Sequence, residues 1–371
     1  MGAGILPPRP INFSALPFCT AMMGACPSSP PNSTVSPTVL PGTGMTRTAV
    51  VLLLMTPIAA SSAMIALIVA AVTYGTPLLF GTLGEVLTEK SGNLNLGVEG
   101  IMFMGGAFGL GGMFYYEKLA ATPNGFVAIL VGILFAFLAG ALASLIFSFI
   151  TTTLRANQNV TGLALSIFGT GVGQFMGEFM RVREGGYVAI GNELKTYFIA
   201  SPFPKFLQDI PYAGKILFSH SFFFYLAVLL AVGLYCYLMK SRSGLYLRAV
   251  GESPATADAA GINVTRYKYL ATIIGGGISA VGGMVYITTI AGCVWNHEGL
   301  SGVGWLAVAL VIFCTWRPLS AIWGSVLFGA LMILYLRLQL SFIPTQLYKI
   351  LPYVVTVIVL VVSSMRNNKE K

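Results

Sequence analysis

TAVVLLLMTPIAASSAMIALIVAAVTYGTPLLFGTLG, residues 48–84, runs for 37 residues without a charged side chain. A helix needs about 20 such residues to cross the hydrocarbon layer of a bilayer. The stretch therefore holds one crossing at 64–87, with room for a short extra helix at 48–62. Outward from it, further apolar segments lie at 96–116, 126–150, 159–178, 222–239, 269–291, 303–316, 319–338 and 349–365. Nine spans result, within a range of eight to ten. In lipid the backbone must satisfy its own hydrogen bonds, and runs of this length do so as helices. The expected fold is an all-α, polytopic transmembrane bundle. The span at 303–316 is short, and GCVWNHEGLSGVG (292–304) before it is expected to enter the membrane as a partial helix.

Composition agrees. Of 371 residues, 56% are hydrophobic and 9% charged, against about a quarter charged in a soluble domain. Too few polar side chains exist to cover a globule of this size. The 43 glycines suit helices held by close backbone approach. Small residues recur four apart at Gly105/Gly109, Gly169/Gly173/Gly177 and Ser279/Gly283. Packing within the chain and packing between chains are both open uses of such stripes.

The net charge of +9 is spread over loops and tails, which argues against a nucleic-acid partner. Loop charges orient the bundle instead. KSRSGLYLRAVGESPATADAAGINVTRYK (240–268) carries Lys240, Arg242, Arg248, Arg266 and Lys268 against two acids. The positive-inside rule makes it cytoplasmic. Counting from there places Lys90, Arg155, Arg317 and the tail 366–371 inside, and Lys118, Arg337, Lys349 and the long loop 179–221 outside. Residues 1–47 are rich in Pro and Ser without periodicity and read as a disordered tail. They lack the apolar stretch of a signal peptide, and the expectation is an over-extended start with initiation at Met45 or Met64. The membrane domain is then 48–365.

Catalytic chemistry is absent from the pattern. There is no phosphate-cradling G-x-x-x-x-G-K-[ST], no GxSxG, no HExxH and no paired-carboxylate arrangement. Cys19, Cys26, Cys236, Cys293 and Cys314 form no CxxC pair and read as small apolar fillers. His220 and His297 lack a ligand-spaced partner, so no metal site is expected. The chain is not expected to be an enzyme or to bind a cofactor.

Two segments exceed what bilayer packing requires. GEVLTEKSGNLNLGVEGIMFMGG (84–106) interrupts an apolar tract with Glu85, Glu89, Lys90, Asn93, Asn95 and Glu99. A lipid-facing carboxylate at Glu99 would cost about 2.5–3.5 kcal/mol or more. Either these groups line a translocation path, or they form an interfacial loop whose acids and lysine pair together. Arg155-Ala156-Asn157-Gln158-Asn159 is a similar polar break. The second segment lies within 244–266. Ser253 can cap a helix that begins at Pro254, alanines favour it, and Gly261 can end it. About seven residues do not hold a helix alone in water, so a partner groove or the membrane surface must support it.

These residues carry a resemblance. GLYLRAVGESPATADAAGINVTRYKYLATIIGGGISAVGGMVY (244–286) closely resembles the cytoplasmic coupling region of permeases in the ABC importer group for branched-chain amino acids, ribose and nucleosides. SGNLNLGVEGIMFMGGAFG (91–109) resembles the nucleoside branch, and LRANQNVTGLAL (154–165) and GLSGVGWLAVALVIF (299–313) match it too. The similarity spans about 64–365. It implies a pore of two permease subunits, usually different, and a separate ATPase with two nucleotide-binding domains that uses ATP-Mg. It also implies an extracellular substrate-binding lipoprotein and a bacterial plasma-membrane location. By the same resemblance, the short helix with Gly251, Glu252, Pro254, Ala257, Asp258, Ala260 and Gly261 is the ATPase-coupling element. Asn93, Asn95, Glu99, Asn157 and Asn159 are the candidate path for a nucleoside or simple sugar. The rival reading is a secondary, ion-coupled carrier.

Overall fold

The computed structural model describes residues 47–210, 213–337, 350–351, 353–358 and 361. The expectations for 1–46, for most of the last apolar segment and for the tail 366–371 lie outside them. Residues 1–59 and 60–371 separate into two units. Of the first, only the start of a helix at Arg47 is described; the helical bundle belongs to the second.

Among the described residues regular structure is helical, apart from one isolated antiparallel bridge between Ala189 and Val294. The long helices are α1 (Arg47–Glu89), α2 (Val98–Leu119), α3 (Gly125–Ser148, continued by a π-helical turn, Phe149–Thr153) and α4 (Gln158–Arg183). Three short helices follow, α5 (Asn192–Ile199), α6 (Lys205–Gln208) and α7 (Ala213–Phe218). Then come α8 (Phe222–Lys240), α9 (Arg242–Glu252), α10 (Pro254–Ala259) and α11 (Val264–Thr289). Next come α12 (His297–Leu300), α13 (Val303–Phe313) and α14 (Pro318–Arg337), and residues 350–351, 353–358 and 361 are helical again.

Five of these are long and apolar enough to cross a membrane: 64–89 of α1, α3 with its π-turn, α4, α8 and α11. Helix α2 is as long as a span but carries Glu99, Glu117 and Lys118, and 16 of its 22 residues are buried. It is the central helix, packed against α3, α4, α11 and α13. Glycine makes that centre possible. A Cβ on Gly105 would collide with the carbonyl of Ala280, and one on Gly283 with that of Met102. Helices α2 and α11 thus cross backbone to backbone. Gly169 and Gly173 give α4 the same approach to α2 at Gly100 and Phe103. The small-residue stripes are therefore used inside this chain, where dispersion between close backbones replaces the hydrophobic exclusion that lipid does not provide.

The two ends of the bundle differ. At one end the 89–95 turn, the 153–158 turn, α9 and residues 314–317 lie together: Gly251 abuts Lys90 and Gly92, Gln158 binds the 92–94 backbone, Thr153 meets Tyr269, and Trp316 reaches Glu89. At the other end the 179–221 loop folds back as α5–α7. Gly191 N–H donates to both carboxylate oxygens of Glu117 (3.0 and 3.1 Å), Lys118 pairs with Glu184, and Ile190 and Trp295 bridge the 188–190 and 293–295 strands of backbone. Lys90, Arg155 and Arg317 thus lie at one end, and Lys118 with the described part of the 179–221 loop at the other.

Candidate functional site

Helix α13 is only 11 residues long, and it starts within the bundle against α2. After α11 the chain turns at the 290–297 segment and descends, Leu300 beside Gly106 and Gly304 against Glu99. The partial helix expected before 303 is α12, four residues long. Four backbone N–H groups at a helix start have no partner within the helix. In hydrocarbon, water cannot supply one. Glu99 does: Oε1 accepts from Gly302 N–H (2.6 Å), and Oε2 from Gly304 and Trp305 N–H (2.7 and 3.2 Å). The carboxylate sits where the helix dipole is positive, which answers the cost of placing it there.

Glu99 is held by the polar turn before it. Gly92 has φ +83°, a left-handed conformation that strains any side chain, and a Cβ there would also crowd Gly251. Ser91 Oγ donates to Thr88 O (2.6 Å), and Gln158 of α4 brackets the turn, accepting from Leu94 N–H (2.9 Å) and donating to Gly92 O (3.3 Å). Asn93 Nδ2 donates to Thr272 Oγ1 on α11 (2.9 Å), and Asn95 Oδ1 accepts from Gly97 N–H (2.9 Å). Both asparagines are buried, and each keeps one amide atom unpartnered, Asn93 Oδ1 and Asn95 Nδ2. Glu85 accepts from Asn95 N–H (3.1 Å), and Glu89, one turn on, takes the indole N–H of Trp316 on its carboxylate. Among the described residues no ion pair joins these acids to Lys90; the Asn95 N–H holds Glu85 and the Trp316 indole holds Glu89.

Against this turn rests the end of α9. A Cβ on Gly251 would strike the carbonyl of Lys90. Glu89, Lys90, Arg248, Gly251, Glu252 and Trp316 border a cleft of ≈170 Å³ there. Helix α10 then leaves the body. Ser253 Oγ accepts from Thr256 N–H (3.4 Å), Pro254 occupies the first turn, and Gly261 (φ +79°) ends the helix with N–H to Asp258 O (2.9 Å). Of its residues Ala257 alone is buried, while Pro254, Asp258, Ala260 and Gly261 face outward. Six residues projecting with one side chain tucked in form a knob.

Residues 42–360 match the family described as branched-chain amino acid transport system / permease component. The chain belongs to that family. The match begins ahead of residue 64, where the sequence resemblance starts. The permease is 35% identical over 301 residues to the guanosine ABC transporter permease protein NupQ of Bacillus subtilis, covering 78% of this chain and 89% of NupQ. It is 33% identical over 292 residues to the nucleoside ABC transporter permease protein NupC of Lactococcus lactis, covering 77% and 88%. A Haloferax volcanii protein provisionally named glucose ABC transporter permease protein TsgC13 is 36% identical over 273 residues, covering 73% and 77%.

Within the permease, the sequence-selected residues fall in three places. Asn93, Asn95 and Glu99 share the buried turn and the α13 start. Gly251, Glu252, Pro254, Ala257, Asp258, Ala260 and Gly261 form the knob and its root, joined to that turn through Gly251. Asn157 and Asn159 stand apart: Asn157 caps α4 by accepting from Asn159 and Val160 N–H (3.0 and 3.3 Å), and both are exposed. Sequence reasoning missed α9, although Ser241 as cap and Gly244, Leu247 and Val250 three apart were its signature. It missed Thr272 and Trp316, and it named Gln158 only as part of a polar break, because their partners are distant in the chain. Among the described residues no group of three His, Cys, Asp or Glu could hold a metal ion. Burial pushes the Cys293 thiol up to about 12, which keeps it protonated and unreactive.

Proposed function

We propose that this permease is the membrane-spanning subunit of an ATP-binding cassette importer that carries nucleosides or related simple sugars across the plasma membrane by alternating access. The single supporting observation is the knob: an exposed six-residue helix rooted by Gly251 on the turn that leads to Glu99 and α13. A soluble partner that grips α10 moves α9, and α9 cannot move without displacing the 90–92 turn. In this proposal the partner is an ATPase with two nucleotide-binding domains, which consumes ATP-Mg, while this chain binds no cofactor. A second, related permease completes the pore, and an extracellular lipoprotein delivers substrate. No observation favours an ion-coupled carrier.

Substrate passes the buried turn in this reading. Asn93 Oδ1 and Asn95 Nδ2 are an unpartnered acceptor and an unpartnered donor, a pair suited to ribose hydroxyls or a base edge. A buried polar atom left unpaired costs about 1–3 kcal/mol, a cost relieved in a state that offers it a ligand. Glu99 positions α13, and Asn157 and Asn159 stand at the cytoplasmic mouth. The names of NupQ and NupC rank nucleosides ahead of sugars. The test is uptake of labelled guanosine and labelled glucose in cells with and without this gene, under ATP depletion and separately under collapse of ion gradients. Uptake that stops only with ATP depletion is expected. Uptake that survives ATP depletion and fails with the gradient would overturn the reading.

A further inference from the structure

Between α8 and α11 the outer surface is hollowed into a groove of ≈630 Å³, floored by Leu83 and Leu87 of α1. Its walls are Leu, Ile and Ala side chains, several of them open to the surroundings, such as Leu270 and Ile274. Along α11 the lining runs from Tyr267 to Ile278. That is ~16 Å at ~1.5 Å per residue, about half of a ~30 Å hydrocarbon layer. The groove therefore spans one leaflet, and α1 and α11 contribute only their halves nearest α9. A transmembrane helix of a partner would need a face continued through both leaflets.

The end of the groove next to α9 is polar. Tyr237 and Ser243 share a hydrogen bond there (3.1 Å), and Tyr267 meets Tyr246 edge to face. Tyrosines at this level mark the headgroup region. Two cations stand at this end. Lys240 lies on α8 one turn beyond Tyr237, on the face that lines the groove, and Arg242 precedes the lining residue Ser243 at the start of α9; both are exposed. Neither makes an ion pair among the described residues.

We propose that this groove is a binding site for an anionic phospholipid of the cytoplasmic leaflet, one acyl chain lying between α8 and α11 and the phosphate meeting Lys240 and Arg242. An apolar slot of one-leaflet length, opening on unpaired cations at headgroup depth, has the chemistry of a charged lipid and not of a neutral one. The site adjoins α9, so the lipid braces the root of the knob against the bundle. The assignment requires only that the chain sits in a bilayer, so it stands or falls apart from the importer reading.

The test uses full-length protein in phosphatidylcholine nanodiscs doped with phosphatidylglycerol that carries a photoreactive group midway along one acyl chain. Mass spectrometry then maps the labelled residues. Labels are expected on groove residues of α8 and α11, and several-fold fewer when the photoreactive lipid is phosphatidylcholine. Lys240→Ala and Arg242→Ala, both exposed and harmless to packing, each lower the phosphatidylglycerol label roughly fivefold. Ile274→Trp fills the slot and displaces the label. Equal labelling by both lipids, indifference to the charge variants, or label spread over exposed Leu134 and Leu138 of α3 overturns the proposal. So does a disulfide between two copies of Ile274→Cys, which would make the groove a permease–permease seat.

Discussion

Helices α8 and α11 are both long and apolar, yet they live in opposite surroundings. In α11, 78% of the apolar window is buried inside the protein; in α8 the figure is 22%, although α8 is the more apolar of the two. In water the ranking would be reversed. In a bilayer, lipid solvates Leu and Phe as well as protein does, so apolarity says where the membrane is and not where the core is. What separates the two helices is side-chain size. Helix α11 carries Gly275, Gly276, Gly277, Gly282 and Gly283 among its buried residues, while α8 presents Leu229 and Val232 outward. The interior of this protein is built where atoms are missing.

The comparison can be broken most directly at Gly283. Leucine there must displace the Met102 backbone, and overpacking of this kind costs more than about 3 kcal/mol. The expected outcome is loss of a folded, monodisperse protein in detergent, read by size exclusion and thermal unfolding. The next largest effect belongs to Glu99→Ala, which strands the N–H groups of Gly302, Gly304 and Trp305 away from water. About 3 kcal/mol of stability is lost, and Glu99→Gln retains part of it because the amide oxygen still accepts. A smaller loss, about 1–2 kcal/mol, is expected for Gly251→Ala. Under the importer reading proposed above, the discriminating measurement is transport per ATP hydrolysed by the partner ATPase, which falls because the contact between α9 and the Lys90 turn is displaced.

Acid sharpens the contrast between the bundle and its outer cap. His220 is buried, donating through Nε2 to Ile216 O (2.8 Å), and burial holds its pKa below the ordinary value. The unfolded histidine titrates near ~6.5, so the folded state binds the proton later. Stability from this group is complete above that pH and is lost as pH falls from it through the lower folded value. Protection against hydrogen exchange at residues 213–222, after correction for the intrinsic pH dependence of exchange, should fall below about pH 6.5, with α11 unaffected. The smallest effect is Leu229→Ala on α8, within about ±0.5 kcal/mol, because lipid replaces the missing contacts.

The sequence alone determined that this chain is a transmembrane helical bundle, where most helices run, and which end carries the α10 knob. Those properties follow from local rules: charge-free length fixes a span, loop cations fix a side, and Ser253, Pro254 and Gly261 fix a short helix. The expected spans at 222–239 and 319–338 lie within a residue of α8 and α14 at each end. Tertiary structure alone decided the rest. That Glu99 caps α13, that Trp316 meets Glu89, and that Gly251 rests on Lys90 are contacts between residues dozens to hundreds of positions apart. No periodicity encodes them, because a buried polar group declares only that it needs a partner. Which distant atom supplies one is settled by how the glycine-lined helices come together.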